Sequence, residues 1–236
     1  MKGALLLTDQ YIPPTEVHKK SFEIFHPRFA AFYEWFARLG QQRRLIDPLR
    51  EATAGQASGV VVEAGAGTGL NFAFYDPARV ERVEATEPDS AMLAYLRERA
   101  EHAPVPITLT QAPVEALPFS GATFDSAVVT LVFCSVSDPV EGLQEIKRVL
   151  KPGGTLFLLE HVCSQTALVA RVQDVLVPVT TRLFGNCHWN RDTERTVREV
   201  GFHVKEVRYQ GGKWNLMPHL VLQAPRGTRE RESAEK

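Results

Sequence analysis

The sequence predicts an α/β fold, a sheet covered by helices on both faces, from three observations. Val60-Val61-Val62 reads as a buried strand and runs through Glu63-Ala64 into Gly65-Ala66-Gly67-Thr68-Gly69. β-branched residues without alternation suit a strand covered on both sides, and glycines turn the chain while leaving backbone N–H groups open to a ligand. Strand-like and helix-like runs then alternate from residue 80 to residue 161, the pattern of βαβ units. Finally, Arg148-Val149-Leu150-Lys151-Pro152-Gly153-Gly154 stops a helix and turns into the apolar run at 155–161.

Composition narrows the class. A chain of 236 residues that is 44% hydrophobic and 23% charged fits one globular domain with decorations. A formal net charge of −1 gives no overall field toward nucleic acid. Three irregularly spaced cysteines, Cys134, Cys163 and Cys187, argue against a disulfide framework and for a reducing, cytoplasmic setting. With no CxxC pair, no metal site is expected. The apolar run near Met1 is too short for a signal peptide or a membrane span, which leaves peripheral membrane contact as the membrane option. No sequence feature assigns an oligomeric state.

In chain order, residues 1–20 read as irregular around Pro13-Pro14. Residues 22–39 carry Phe22, Phe25, Phe29, Phe32, Tyr33, Trp35, Phe36 and Leu39 at helical spacing, with Pro27 restarting the helix. This stretch reads equally as core packing or as a hydrophobic wall over a substrate. A further helix at 41–52 completes an N-terminal cap, residues 1–52. Asn71-Phe72-Ala73-Phe74-Tyr75 reads as the start of a helix after the glycine loop, and 80–87 as a second strand with an acidic end. Asp89 or Ser90 caps the helix that carries Met92, Leu93, Tyr95 and Leu96. Residues 106–110 form a third strand and 124–134 a fourth. Asp138-Pro139-Val140-Glu141 opens a helix with a cap, a first-turn proline and a first-turn acid. An aliphatic helix at 165–184, kinked at Pro178, reads as a lid within 164–190 or as a helix packed on the sheet. A helix at 192–200 ended by Gly201, strands at 202–209 and 219–223, and a charged tail at 226–236 complete the chain, with residues 53–225 as the main domain.

The glycines follow Gly65-x-Gly67-x-Gly69, one residue shorter than the dinucleotide pattern G-x-G-x-x-G. With Glu63 before it, Glu87 about 20 residues beyond it, the 148–154 turn and the segment Ala112-Pro113-Val114-Glu115-Ala116-Leu117-Pro118-Phe119, the chain resembles the Rossmann-like S-adenosyl-L-methionine (SAM) methyltransferases. The resemblance implies a mixed seven-stranded sheet. It implies a SAM site in which Glu63, Gly65, Ala66, Gly67, Thr68, Gly69 and Asn71 underlie the methionine and ribose, and Glu87 accepts the ribose hydroxyls. Pro88, Pro113, Val114 and Glu115 would flank the adenine, and Thr130, Leu131 and Val132 would face the methyl group. Glu115 serves equally as a loop carboxylate holding backbone N–H groups. Many members have Asp where Pro113 stands, so the adenine contact there falls to backbone.

Narrower stretches resemble the methyltransferase-like-7 thiol S-methyltransferases and their bacterial relatives. They are Gly67-Thr68-Gly69-x-Asn71-Phe72-x-Phe74-Tyr75, Ala112-Pro113-x-Glu115, Thr130-Leu131-Val132-x-Cys134-Ser135-Val136, Leu159-Glu160-His161-Val162 and Asn186-Cys187-His188-Trp189-Asn190-Arg191-Asp192-Thr193. The implied acceptor is a small lipophilic molecule, first a thiol, with an amino-phospholipid nitrogen or a quinone or phenol ring as alternatives. A thiol must ionise to attack. His161 is the candidate base, Glu160 its orienting partner, and His188 and Cys187 approach from the lid side. A histidine that only fixes the lid loop is the competing role for His161. Two readings of another class are a SAM-binding protein without catalysis and an NAD-dependent oxidoreductase. The early third glycine and the 148–154 turn weigh against the latter.

Overall fold

The computed structural model describes residues 24–212 and 214–227. The readings for residues 1–20, for Phe22 and for most of the charged tail lie outside the described residues. The strands are β1 (Gly59–Ala64), β2 (Val80–Thr86), β3 (Ile107–Thr110), β4 (Phe124–Thr130), β5 (Leu150–His161), β6 (Glu206–Gln210) and β7 (His219–Pro225). They form one seven-stranded sheet in the order β3-β2-β1-β4-β5-β7-β6. β1 to β5 pair in parallel, while β7 runs antiparallel to both β5 and β6. The order reverses between β1 and β4, so their carboxyl ends open a crevice of the kind in which α/β sheets bind ligands.

The helices are α1 (Pro27–Ala37), α2 (Gly40–Glu51), α3 (Ser90–Ala100), α4 (Pro139–Val149), α5 (Ala167–Leu183) and α6 (Thr193–Glu199). On one face of the sheet Leu143, Ile146 and Val149 of α4 and Val197 of α6 pack on Val60, Val62, Ala127 and Val129. On the other, Leu93 and Leu96 of α3 pack with Phe72 and Tyr75 on Val61, Val83 and Val128, and Ile46 of α2 meets Leu159 and Val221. Residues alternate between the two cores along β1 and β4, as the strand period requires.

Of the two caps anticipated in the sequence, the first falls to Asp89, which accepts from Ala91 N–H at the start of α3, and Asp138 accepts from Val140 and Glu141 N–H ahead of Pro139 in α4. Asp192, expected as the first residue of its helix, is instead the cap of α6 and accepts from Arg195 N–H. α1 begins at Pro27, whose fixed φ and missing N–H suit a first helical position. The cap is tied to the body at Glu34. This buried carboxylate receives Arg99 at 2.6 Å and Arg38 at 2.7 Å. Burial opposes its ionisation, but the two arginine hydrogen bonds outweigh it and hold its pKa below the ordinary value.

Three local readings change. The stretch after the glycine loop is a single 3₁₀ turn, Phe72–Phe74, and not an α-helix. Asn71 and Tyr75 are pulled inward by hydrogen bonds to Glu63, and Pro77 supplies no N–H for a continuing helix. β4 stops at Thr130, four residues short of the expectation, because Leu131 takes φ +58° and the next three N–H groups turn toward Glu160. The 148–154 turn is built into β5 as an irregularity. Phe124 pairs with Leu150 and Ser126 with Thr155, so the extra residues around Gly153 (φ +81°) bulge out. α5 continues through Pro178 to Leu183 as one helix.

Candidate active site

The glycine loop lies at the carboxyl end of β1. Gly65, Gly67 and Gly69 all take positive φ. A Cβ at Gly65 would strike Val132 at 2.5 Å, so that glycine permits close packing of the two strand ends. A Cβ at Gly67 would meet nothing within 4 Å, so the loop is open there on its outer side. Ala66 N–H donates to Thr86 at 2.8 Å, which fixes the loop against β2. Thr68 is buried with its hydroxyl unpartnered, and its carbonyl accepts from Arg99.

Glu87 stands just beyond β2, beside Gly67. Its carboxylate accepts from Gly67 N–H at 2.8 Å and from Asp89 N–H at 2.9 Å. Burial pushes its pKa up to about 7, against the pull of those two N–H groups. Glu63 lies deeper. Its oxygens accept from Asn71 Nδ2 at 2.9 Å and Tyr75 Oη at 2.6 Å, and burial raises it to about 7 as well. Asn71 also donates to Thr130 Oγ1 at 3.0 Å and accepts from Arg50 at 2.6 Å. Both Glu63 oxygens are therefore engaged within the protein, and its reach to a ligand runs through Asn71. Pro88 offers its carbonyl to Gln111 at 3.1 Å, Val114 is buried, and Ala116 N–H donates to Pro113 at 3.2 Å. Glu115 is half-buried in that loop.

From Gly69, Leu70, Phe72 and Leu131 a cavity of about 900 Å³ extends beneath α1 and α5. Phe29, Phe32, Tyr33 and Phe36 form one wall, and the far wall holds Cys134, His161, Cys187, Trp189 and His219. Its volume lies in the range of small-molecule sites. His161 ends β5, paired across the sheet with His219, and the two rings stand 4.8 Å apart. Burial, and then the nearby His161, lower His219 to about 4, so it is neutral at physiological pH. Cys187 Sγ lies 3.6 Å from His161 Nδ1. The adjacent Cys187 thiol and burial push the Cys134 thiol up to about 12.

Two expected catalytic partners stand elsewhere. Glu160 does not orient His161. Successive strand residues face opposite ways, and Glu160 turns inward to accept from the N–H groups of Val132 at 2.7 Å, Phe133 at 2.7 Å and Cys134 at 3.2 Å. It is fully buried, and burial followed by the neighbouring Cys134 pushes its pKa well up. His188 lies off the cavity wall. Its ring pairs with Asn186 O at 2.8 Å, and Cys187 points inward in its place. Sequence reasoning also missed that Cys134 joins His161 and Cys187. The sulfur and nitrogen donors of these three lie within 4.8 Å of one another. His219, in register with His161, was missed too, because its partner strand is fixed only by the sheet topology.

Residues 62–158 match a family model described as a methyltransferase domain. The chain is 30% identical over 191 residues to the thiol S-methyltransferase TMT1B of Rattus norvegicus, a match covering 78% of each chain. It is 30% identical over 212 residues to the ubiquinone/menaquinone biosynthesis C-methyltransferase UbiE of a Marinomonas species, covering 85% of this chain and 83% of the relative. Among solved structures, a SAM-dependent methyltransferase from Thermotoga maritima superposes with a TM-score of 0.61 at 22% identity, covering 84% of this chain and 97% of that one.

Proposed function

The chain belongs to the class I SAM-dependent methyltransferases, and from that premise we propose that it methylates the sulfur of a small lipophilic thiol. One observation carries the reading. A single cavity joins the glycine loop to an aromatic chamber whose far wall holds His161, Cys134 and Cys187. Kinship with thiol S-methyltransferases supports sulfur as the acceptor atom. Family membership removes the NAD-dependent oxidoreductase.

In this reading the loop from Gly65 to Gly69 underlies the methionine and ribose of SAM, with Gly67 the point of closest approach. Glu87 accepts the ribose hydroxyls. Pro88, Pro113 and Val114 flank the adenine with Glu115 at its edge, and Thr130, Leu131 and Val132 line the path to the methyl group. Glu63 acts through Asn71. Methyl transfer from a sulfonium is an in-line displacement, so the protein's task is to hold the acceptor about 3–3.5 Å from the methyl carbon with water excluded. His161, at the chamber wall, promotes loss of the thiol proton. The two N-terminal helices serve as a cap (residues 1–52) and α5 as part of a lid (164–190) on the main domain (53–225). Among the described residues no helix is long and apolar enough to cross a membrane. Exposed Trp35, Leu168, Val175 and Leu183 on the cap and lid support peripheral membrane contact, and three free cysteines support a cytoplasmic setting.

Labelled SAM offered with an alkyl thiol, an amino-phospholipid or a phenolic quinol tests this. Label in the thioether is expected. Label on ring carbon alone would move the chain to the chemistry named for its UbiE relatives, and SAM binding with no transfer would make it a binder. His161→Ala is expected to slow transfer with SAM affinity unchanged; equal turnover would remove His161 from the reaction.

A further inference from the structure

We propose that Cys134, Cys187 and His161 form a zinc site that opens into the acceptor cavity and takes the acceptor thiol as its fourth ligand. This rests on the thiol reading and reassigns His161 from the proton to the metal.

The donor set and its spacing carry the proposal. Two cysteine sulfurs and one imidazole nitrogen lie within 4.8 Å of one another. In a tetrahedral zinc site, with ligands at about 2.3 Å (sulfur) and about 2.0–2.1 Å (nitrogen), a sulfur and a nitrogen ligand stand about 3.6 Å apart. The Cys187 Sγ to His161 Nδ1 separation is 3.6 Å. Sulfur and imidazole donors favour zinc over the oxygen-seeking magnesium or calcium.

The three residues come from separate elements, and each is held in place. Cys134 N–H donates to Glu160 at 3.2 Å, and its carbonyl accepts from His188 N–H at 2.6 Å. The Cys187 carbonyl accepts from Thr180 Oγ1 at 3.1 Å. His161 is locked in β5 against His219. Leu176, Val177, Trp189 and Met217 pack around the cysteines as an apolar shell, which limits water and strengthens thiolate binding. The His219 Nε2 is buried without a hydrogen-bond partner beside this group.

Three protein ligands on a cavity wall are the pattern of a reactive zinc and not of a closed structural one. Two thiolates neutralise the ion. A bound acceptor thiolate then leaves the site with one negative charge, facing the positive sulfonium of SAM. On coordination the acceptor releases its proton to water. Its sulfur lone pair forms the bond to the methyl carbon, the sulfonium carbon–sulfur bond breaks, and that electron pair stays on the cofactor sulfur. The bland alternative is two small apolar thiols packed by an S–H to imidazole contact.

Cobalt(II) reports the site without relying on turnover. The full chain, reduced and stripped with chelator, should take up one equivalent, with thiolate-to-cobalt charge transfer in the near ultraviolet and the intense visible bands of tetrahedral cobalt. Adding an alkyl thiol should shift the visible bands. Cys134→Ser and Cys187→Ser should each lose at least half of the charge-transfer intensity with unchanged far-ultraviolet circular dichroism, and Cys163→Ser should not. Should the serine variants fail to fold, zinc competition against a chromogenic chelator on the wild type decides in their place. Absence of charge transfer, failure to compete for zinc, or a Cys134–Cys187 disulfide in the protein as purified would overturn the site. So would thiol methylation that persists in metal-free protein, while leaving the thiol reading intact. Cobalt bound through thiolates with no response to any acceptor thiol, and no thioether product, would sustain the three-ligand site and overturn the fourth-ligand role together with the thiol reading.

Discussion

The cofactor side and the acceptor side of the crevice are built on opposite principles. Around the glycine loop the sheet ends carry three buried carboxylates, Glu63, Glu87 and Glu160, each accepting at least two hydrogen bonds from nearby groups. The acceptor side is aromatic and aliphatic, drawn from α1 and α5, and leaves Phe25, Trp35, Leu168, Val175 and Leu183 exposed. A buried carboxylate demands fixed donors at fixed distances. Apolar contact demands only volume. The first side is therefore specified group by group and the apolar wall of the second by shape, with Cys134, His161, Cys187 and His219 the fixed polar point on it.

The sharpest way to break this contrast is Glu160→Ala. It strands three N–H groups of the β4 turn, and a loss of about 3–4 kcal/mol in urea unfolding is expected. A loss comparable to that of a surface substitution would show that the turn holds itself. Next is pH. Glu63 and Glu87 have folded pKa values near 7, above their ordinary 4.5. The folded state thus holds protons that the unfolded chain releases between those values. Their contribution is fully present below pH 4.5 and fades as pH rises toward 7. Thermal unfolding of the ligand-free protein should show this decline, and Glu87→Gln should reduce it.

Smaller effects sharpen the comparison. Glu87→Ala should weaken SAM binding by about 1–3 kcal/mol in calorimetry; unchanged affinity would take Glu87 out of the site. Gly67→Ala meets no neighbour, so only positive-φ strain of about 1–2 kcal/mol falls on stability. Under the proposed SAM placement the methyl projects toward the cofactor, and SAM affinity should suffer more than stability. At the far end, Val175→Ser on the exposed face of α5 should change stability by no more than about 0.5 kcal/mol and leave SAM affinity alone. Its effect should appear in retention on phospholipid vesicles.

Legibility in the sequence follows the same division. The glycines, the acid after β2, the caps of α3 and α4 and the succession of strands along the chain are local signals, and the fold class they predict is the one observed. What the sequence hid depends on facing and register. Glu160 and His161 are neighbours in sequence, yet the pleat sends one beneath the sheet end and the other into the cavity. His188 looked like the active member of its pair, but the turn after α5 directs Cys187 inward. The 71–75 stretch has the composition of a helix, and the pull of Glu63 on Asn71 and Tyr75, with Pro77 beyond, makes it a 3₁₀ turn. Cys134, His161 and Cys187 meet because three elements converge, which no spacing within the chain announces.

The single turn at Phe72–Phe74 has a consequence for the order in which the molecule is completed. Where a full helix would have covered the sheet directly after the glycine loop, cover comes partly from α2, whose Ile46 reaches Leu159 and Val221, and from α1, fastened to Arg99. A ribosome delivers these two helices first, but Leu159 and Val221 arrive more than 100 residues later. Closing α2 on the sheet therefore needs contacts across more than 100 residues of chain, while α1 meets its partner Arg99 only 65 residues beyond Glu34.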